Sequence, residues 1–286
     1  MTQSTADFRT LIEPAELAAL SAGARLAIID CRHDLARPEW GGVAYASGHI
    51  PGATFAHLDR DLSGPITPHT GRHPLPDREQ LAARLGAWGI DRGVQAVVYD
   101  QGNGAIAARL WWLLRWLGHE SVALLNGGLA AWETAGLPVT AAAAAPPSRQ
   151  FAIGPALGGR LTTAQLLDGL ARSELTLVDA RSAERFAGRN ETIDPVAGHI
   201  PGARNHPFTA NLDARGRFLE ATALRSAWQR TLEGERTERV VAMCGSGVTA
   251  CHNLLALERA GLRGARLYAD SWSGWIRDPQ RPIARD

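Results

Sequence analysis

The chain has 286 residues, of which 45% are apolar, and this is enough to fill the cores of two ordinary domains. All 30 basic residues are arginine, and the absence of lysine excludes a Schiff-base lysine and a Walker A phosphate loop. The formal net charge is +1, with no basic stripe and no apolar run of membrane-spanning length, so we expect no nucleic-acid partner and no membrane partner.

In the first half of the chain, short apolar runs alternate with helical patterns. The predicted helices span 14–22, 77–88 and 105–117, and the predicted strands span 26–29, 96–99 and 122–125. Strands of four apolar residues between helices are typical of a parallel sheet that is covered on both faces. The predicted fold class is therefore α/β, with a mainly parallel sheet and helices on both of its faces.

The second half of the chain repeats this alternation. Its predicted helices span 162–171, 222–232 and 248–260, and its predicted strands span 175–178, 240–243 and 265–268. Between the halves, five alanines and two prolines over 141–147 indicate a linker. The sequence thus predicts one domain over 8–139, a linker over 140–156 and a second domain over 157–286.

Two sequence motifs occur once in each half. Gly-His-Ile-Pro-Gly-Ala at 48–53 is identical to the segment at 198–203. An Asp-x-Arg triplet follows the first predicted strand of each half, at 30–32 and at 179–181. The repeat distance of about 150 residues is the size of a whole domain, so these matches predict a domain duplication.

The stretch that most strongly indicates catalysis is Cys244-Gly245-Ser246-Gly247, between the strand at 240–243 and the helix at 248–260. A strand, a glycine-rich turn and a helix N-terminus together aim several backbone N–H groups at one point. Such a point stabilises an anion, including a cysteine thiolate, which is the nucleophilic form of the residue. Gly245 and Gly247 permit backbone conformations that side chains forbid, and Ser246 and Thr249 add hydroxyl groups.

Two other cysteine chemistries fit this loop poorly. A cysteine phosphatase needs arginine at the sixth position after the cysteine, and that position is Ala250. A cysteine protease needs a histidine partner, for which His199 and His252 are candidates. His199, however, has a twin at His49 in the half without the cysteine, which favours a structural role for both. We expect His252 to face solvent or to pack.

The cysteine content favours a reducing compartment. The three cysteines have no regular spacing, so we expect no disulfide, and we interpret Cys31 and Cys251 as core residues. The polar N-terminal residues 1–7 show no apolar signal region, so the expected location is cytoplasmic.

The two repeated motifs and the Cys-Gly-Ser-Gly-Val-Thr-Ala loop together resemble the rhodanese family, and more narrowly its tandem two-domain sulfurtransferases. The resemblance covers about residues 11–275. It implies two rhodanese-like domains, with a catalytic C-terminal copy and an N-terminal copy that lacks the nucleophile. Gln101 stands at the cysteine position of the first copy, and an amide cannot act as the nucleophile.

Within the family, the uncharged loop resembles that of the 3-mercaptopyruvate sulfurtransferases, whereas thiosulfate-preferring relatives have basic residues in the loop. The resemblance implies that Arg185, in an Arg-Phe pair, binds the substrate carboxylate. A second arginine found in these enzymes before the Gly-His-Ile-Pro-Gly turn is missing here, and Arg189 is its nearest possible substitute. Thiosulfate therefore remains open as the alternative donor.

The resemblance also assigns residues of the first domain to one wall of an interdomain active site. Asp61 matches an acidic residue that pairs with the loop serine, and His73 lies in a segment near the site. In the predicted mechanism, Cys244 takes sulfur from 3-mercaptopyruvate as a persulfide, releases pyruvate, and passes the sulfur to cyanide or to a thiol such as thioredoxin or a low-molecular-weight thiol. No cofactor and no metal are expected, and the distant alternative is a non-enzymatic persulfide carrier.

The predicted catalytic residues are Cys244, Ser246 and Asp61, and the predicted substrate-binding residues are Arg185, Gly245, Gly247, Val248, Thr249 and His73.

Overall fold

The structure is a computed structural model that describes residues 8–20 and 25–286. The chain forms two compact units, and each consists of two stretches of sequence. The first unit comprises Met1–Leu62 and Pro76–Leu157, and the second comprises Ser63–Leu75 and Gly158–Asp286. Ser63–Leu75 therefore packs with the second unit, although the domain predicted over 8–139 includes it.

The first unit is built on a five-stranded sheet in which every pair of neighbouring strands is parallel. Its strands are β1 (Leu11–Ile12), β2 (Leu26–Asp30), β3 (Ala53–Phe55), β4 (Gln95–Tyr99) and β5 (Val122–Leu125). The strand order is β1-β5-β4-β2-β3. The three predicted strands are the three interior ones, β2, β4 and β5, and all four residues of β5 are buried. Burial on both faces explains why these strands appear in the sequence as continuous apolar runs.

Six helices belong to the first unit within the described residues. They are α1 (Pro14–Ala19), α2 (Trp40–Ser47), α3 (Leu58–Asp61), α4 (Arg78–Ala87), α5 (Ala107–Trp116) and α6 (Gly128–Thr134). The predicted helix over 77–88 matches α4, which begins after Asp77, whose side chain accepts the backbone N–H of Gln80. The predicted helix over 14–22 is longer than α1, which ends at Ala19 with Leu20 as its C-cap, and residues 21 and 22 lie outside the described residues.

The second unit has a sheet of the same design, again with parallel pairs throughout. Its strands are β6 (Gly159–Leu161), β7 (Thr176–Asp179), β8 (Arg204–Asn205), β9 (Val240–Met243) and β10 (Arg266–Tyr268). Its helices are α7 (Thr163–Ala171), α8 (Ala183–Phe186), α9 (Ala221–Leu232), α10 (Thr249–Arg259) and α11 (Ser271–Trp275), with 3₁₀ helices at Phe208–Asn211 and Thr237–Arg239. The order β6-β10-β9-β7-β8 reproduces the order of the first unit, which confirms the predicted α/β fold class.

The repeated sequence motifs perform the same structural task in both units. In the first, Arg32 pairs with the buried carboxylate of Asp30 and donates to the carbonyl oxygen of Gly48 at 2.7 Å. In the second, Arg181 pairs with Asp179 and donates to the carbonyl oxygen of Gly198 at 2.8 Å. Each arginine thus ties the end of a central strand to the Gly-His-Ile-Pro-Gly turn.

The apolar cores lie around the sheets. In the second unit the core includes Met243 at the end of β9 and two fully buried indole side chains, Trp272 and Trp275. This packing fixes the end of β9, from which the cysteine loop starts. Among the described residues, no helix combines the length and the apolar character needed to span a bilayer.

Candidate active site

Cys244 directly follows β9 and is 2% exposed. The backbone N–H of Gly247 donates to Cys244 Sγ at 3.1 Å. Gly247 adopts a φ of +77°, and a Cβ at this position would collide with the carbonyl oxygen of Ala269. The turn therefore requires glycine at 247 to bring this N–H onto the sulfur.

Hydrogen bonds to the first residues of α11 hold the cysteine loop in place. The backbone N–H of Cys244 donates to Ser271 Oγ at 3.0 Å, and the Ser271 hydroxyl donates to the carbonyl oxygen of Tyr268. Trp272 N–H donates to the carbonyl oxygen of Cys244, and Ser273 N–H to that of Gly245. With its carbonyl groups occupied in this way, the loop can direct its N–H groups towards an anion. This support is not visible in the sequence, because a five-residue helix leaves little periodicity to detect.

The hydroxyl group of Ser246 contacts a histidine side chain. Its Oγ lies 2.7 Å from His73 Nδ1, and both side chains are buried. His73 belongs to Ser63–Leu75, the segment that packs with the second unit. A hydroxyl group and an imidazole at this distance can pass a proton between them.

Arg185 lies on α8, beside the loop. If Gly245 had a Cβ, Arg185 Nη2 and Nη1 would lie 3.5 and 3.7 Å from it. The guanidinium pairs with Glu191 at 2.9 Å and with Asp194 at 3.1 Å, and both carboxylates are almost completely buried. These acidic residues hold the arginine in place, and its side chain keeps 18% of its surface exposed.

Arg72 is a second guanidinium at the same point, and it is not among the site residues predicted from the sequence. Its Nη2 would lie 2.9 Å from a Cβ on Gly245, and its Nη1 forms an ion pair with Asp194. Burial lowers the pKa of Arg72, whereas the charge of Cys244 raises it, which reflects the proximity of the two groups. The indication that the sequence offers for Arg72 is that it directly precedes His73, a predicted substrate-binding residue. By contrast, Arg189, considered as the substitute for the missing arginine, is exposed.

Three other predicted residues occupy different settings. Val248 precedes α10 as its N-cap and is 5% exposed, and Thr249 is the first residue of that helix. Asp61 lies in the first unit, where its carboxylate accepts the backbone N–H of His57 at 2.7 Å and pairs with Arg84. The role of Asp61 beside Ser246 stays a prediction.

The corresponding loop of the first unit already binds an internal anion. The carboxylate of Asp100, 1% exposed, accepts backbone N–H groups from Gly102 and Gly104 at 3.0 Å, and from Ile106 and Ala107 at 3.0 and 3.2 Å. Gly104 corresponds to Gly247, so the N–H that contacts sulfur in the second unit contacts a carboxylate here.

Gln101, at the cysteine position of this loop, is exposed, and its side chain donates to the carbonyl oxygen of His33 at 3.3 Å. This loop of the first unit therefore has no cysteine, and four of its backbone N–H groups are already bound to the Asp100 carboxylate.

The twin histidines have matching structural roles. His49 stacks on Tyr45 at 3.9 Å between ring centroids, and His199 stacks on Phe186 at 3.8 Å. His252 is fully buried against Phe218, which agrees with the expectation that it packs.

The other two cysteines are buried, and like Cys244 they form no disulfide. Burial raises the pKa of Cys31, and the neighbouring carboxylates of Asp30 and Asp100 add to this effect, so its thiol stays protonated. Cys251 donates its thiol to the carbonyl oxygen of Gly247.

One group of metal-ligand types occurs among the described residues, formed by His33, His57 and Asp59 of the first unit, with donor atoms within 4.8 Å of one another. His57 Nδ1 accepts the backbone N–H of Asp59, which places the proton of a neutral ring on Nε2. Neither nitrogen of His57 then offers a lone pair to a metal.

Comparison with known proteins agrees with this duplicated architecture. The model of the family described as "Rhodanese-like domain" matches residues 13–135 and again residues 162–278. A Pseudomonas aeruginosa protein named "Probable 3-mercaptopyruvate sulfurtransferase" is 49% identical, over 96% of this chain and 97% of its own. A Mycobacterium tuberculosis protein named "Putative thiosulfate sulfurtransferase SseB" is 40% identical, over 97% of both chains. The solved structure of 3-mercaptopyruvate sulfurtransferase from Leishmania major is 31% identical, with a TM-score of 0.84 over 96% of this chain and 77% of its own.

Proposed function

The chain belongs to the rhodanese family, and on that premise we propose that it is a sulfurtransferase that takes sulfur from 3-mercaptopyruvate through a persulfide on Cys244. The observation that supports this most directly is the Gly247 N–H on Cys244 Sγ, at the end of a buried strand. A sulfur anion at this position has a hydrogen-bond donor in place before any substrate binds, and preorganised donors need no rearrangement during the reaction.

In the first half-reaction, the Cys244 thiolate attacks the sulfur of 3-mercaptopyruvate and forms an S–S bond. The bond between that sulfur and substrate C3 breaks, and its electron pair becomes the enolate of pyruvate. The enolate takes a proton at C3 to give pyruvate, while the transferred sulfur remains on Cys244 as a persulfide. Arg185 binds the substrate carboxylate, since a guanidinium matches this group with two parallel hydrogen bonds.

The proton for the enolate comes from Ser246, with Thr249 helping to orient the substrate. After Ser246 donates its hydroxyl proton, His73 restores it, because Nδ1 is within hydrogen-bond distance of Oγ at 2.7 Å. The proton that the substrate thiol releases, as the transferred sulfur becomes a persulfide anion, replaces the one that His73 has given up. The nucleophile and the proton donor are thus different residues, Cys244 and Ser246. The first can be deprotonated while the second carries the proton that the enolate needs.

In the second half-reaction, an acceptor attacks the outer sulfur of the persulfide. The S–S bond breaks, its electron pair returns to Cys244 as the thiolate, and the acceptor leaves with the sulfur. We propose a thiol acceptor such as thioredoxin or a low-molecular-weight thiol, in the reducing environment of the cytoplasm. The three cysteines, none of which forms a disulfide, support that setting. Cyanide serves as the acceptor in an assay, and two successive transfers give ping-pong kinetics.

Thiosulfate is the second candidate donor, and one observation favours it. The loop itself is uncharged, but two guanidinium groups, of Arg72 and Arg185, approach Gly245. Two cations can attract a compact dianion as well as a 2-oxo acid. The uncharged loop therefore does not by itself distinguish the two donors, because Arg72 and Arg185 supply positive charge beside it.

A kinetic comparison of the two donors tests the proposal. We expect a higher kcat/KM for 3-mercaptopyruvate than for thiosulfate at a fixed cyanide concentration, and a preference for thiosulfate would overturn the choice of donor. Cys244→Ser should abolish turnover with both donors, whereas Cys31→Ala, a buried cysteine of the first unit, should retain it. A carrier that only holds persulfide would give one equivalent of product and no steady turnover.

A further inference from the structure

Ser271, the first residue of α11, has a backbone conformation that is unfavourable for a residue with a side chain. Its φ is +52°, in the left-handed region, and the residue is fully buried. Glycine adopts this conformation readily, whereas a Cβ makes it costly. Strain of this kind persists only where the surrounding structure enforces it, and it often occurs at functional sites.

The first unit has glycine at the equivalent position. Gly128 is the first residue of α6, which follows β5 as α11 follows β10, and β5 and β10 have the same place in the two strand orders. The φ of Gly128 is +56°, so the two units share the left-handed turn and differ in the residue that adopts it. The unit with the cysteine loop thus has a strained serine where the other unit has an unstrained glycine.

The Ser271 hydroxyl both accepts and donates a hydrogen bond at the cysteine loop. Its Oγ accepts the backbone N–H of Cys244 at 3.0 Å and donates to the carbonyl oxygen of Tyr268 at 2.9 Å. The next residue, Trp272, donates its N–H to the carbonyl oxygen of Cys244 at 3.0 Å. Two consecutive residues of α11 therefore hold the N–H and the carbonyl group of the cysteine itself.

The helix contacts the loop one residue later in the second unit than in the first. In the first unit, Leu129, the residue after Gly128, donates its N–H to the carbonyl oxygen of Asp100, which precedes the cysteine position. In the second unit, the corresponding N–H of Trp272 reaches Cys244. A Cβ on Gly128 would lie 2.5 Å from the carbonyl oxygen of Asp100, so the arrangement in the first unit leaves no room for serine. Serine at this turn and the shifted contact with the cysteine therefore occur together.

We propose that Ser271 is a positioning residue for the nucleophile, whose hydroxyl orients the backbone of Cys244 so that Sγ meets the N–H of Gly247 at 3.1 Å. This inference rests on the proposed function and adds to it a residue that acts through Cys244. Glycine at 271 would relieve the strain but would remove the hydroxyl. Because Cys244 takes part in both half-reactions, loss of this hydroxyl should slow sulfur loading and sulfur discharge alike, and should leave KM nearly unchanged.

Ser271→Gly and Ser271→Ala separate positioning from stability. Both variants lose the hydroxyl, but only Ser271→Gly relieves the left-handed strain. We therefore expect Ser271→Gly to unfold at a higher temperature than Ser271→Ala, by about 1–4 °C. Despite this difference, kcat for pyruvate release should fall by the same factor in both variants, about 10-fold or more. Discharge of a Cys244 persulfide, loaded with inorganic polysulfide, to cyanide should slow by a similar factor.

Ser173→Gly is the matched control, since it makes the same substitution in the same backbone conformation. Ser173 has a φ of +55°, lies after α7 in the second unit, and is exposed. Ser173→Gly relieves strain without removing a hydroxyl from the cysteine loop. It should therefore leave kcat unchanged and should not lower the unfolding temperature.

The outcomes are distinct. If wild-type protein releases no pyruvate from 3-mercaptopyruvate, the proposed function fails. If the wild type releases pyruvate and Ser271→Gly retains its kcat, only the role of Ser271 is wrong. If kcat instead follows the unfolding temperature, so that Ser271→Gly is clearly more active than Ser271→Ala, Ser271 supports the fold and does not position the nucleophile.

Discussion

Gly247 donates its backbone N–H to Cys244 Sγ at 3.1 Å from a left-handed conformation with a φ of +77°. Two independent constraints meet at this residue. The left-handed conformation is costly for a residue with a side chain, and a Cβ would collide with the carbonyl oxygen of Ala269. The contact with sulfur therefore depends on the absence of a side chain at 247.

Gly247→Ala should lower the free energy of unfolding by about 2–4 kcal/mol, from backbone strain and steric overlap together, and should strongly reduce sulfur transfer. Urea denaturation measures the first effect and pyruvate release the second. Gly202→Ala is the matched control, since Gly202 has a φ of +78° and no atom within 4 Å of its Cβ position. It should cost about 1–2 kcal/mol. Equal costs for the two variants would show that Ala269 moves aside freely.

Ser246 and His73 should behave as one proton-transfer unit. Ser246→Ala and His73→Gln should each lower kcat for pyruvate release by about 10²-fold, because each interrupts the same path. The double variant should be scarcely slower than either single variant, since residues that act together are not additive. Effects that multiply in the double variant would mean that the 2.7 Å contact is not part of the reaction.

The first unit should not gain activity from a cysteine alone. In a Cys244→Ser background, Gln101→Cys should form no persulfide with 3-mercaptopyruvate, because the Asp100 carboxylate already accepts four backbone N–H groups of that loop. Mass spectrometry of the intact protein detects the added sulfur. Persulfide formation by this variant would show that the Asp100 carboxylate does not prevent the loop from stabilising a sulfur anion.

Protonation of His206 should destabilise the protein in acid. Burial lowers the pKa of His206 below its ordinary value of 6.5, the hydrogen bond to Asn211 acts in the opposite direction, and Arg230 lowers it further. As the pH falls through 6.5, the unfolded chain therefore takes up this proton before the folded protein does. The contribution of His206 to stability is complete above that pH and decreases below it, until the folded ring also titrates.

The comparison that checks this uses His206→Gln. This variant loses the stack on Trp228, at 3.9 Å between ring centroids, and should be less stable at neutral pH. Its unfolding free energy should nevertheless fall less than that of the wild type between about pH 7.5 and about pH 5. His69→Gln, an exposed site, should leave the pH dependence unchanged. Identical slopes for His206→Gln and the wild type would contradict the prediction.

The sequence predicted the parts of the fold that depend on local pattern. The interior strands β5 and β9 begin and end as predicted, because burial on both faces makes them continuous apolar runs. The edge strands β1 and β8 have two residues each, too few to form any pattern. The helix α2 was missed since it contains Gly41 and Gly42, which weaken the helical signal.

The sequence predicted those residues of the candidate site that lie together in one continuous motif. Cys244, Ser246 and Gly247 come from a single loop whose chemistry is visible in the sequence. Arg72 could not be found in that way, because its position depends on Ser63–Leu75 packing with the second unit and on Asp194 holding its side chain. Both are tertiary relationships between residues more than 100 positions apart.

The central claim is that Cys244 accepts sulfur from 3-mercaptopyruvate. Its most direct test is to mix the protein with 3-mercaptopyruvate in the absence of an acceptor, quantify pyruvate, and locate the added sulfur by peptide mass spectrometry. We predict one equivalent of pyruvate per chain and one additional sulfur atom on the peptide that contains Cys244. Pyruvate release without a persulfide on Cys244, or a persulfide on Cys31 or Cys251 instead, would contradict the account.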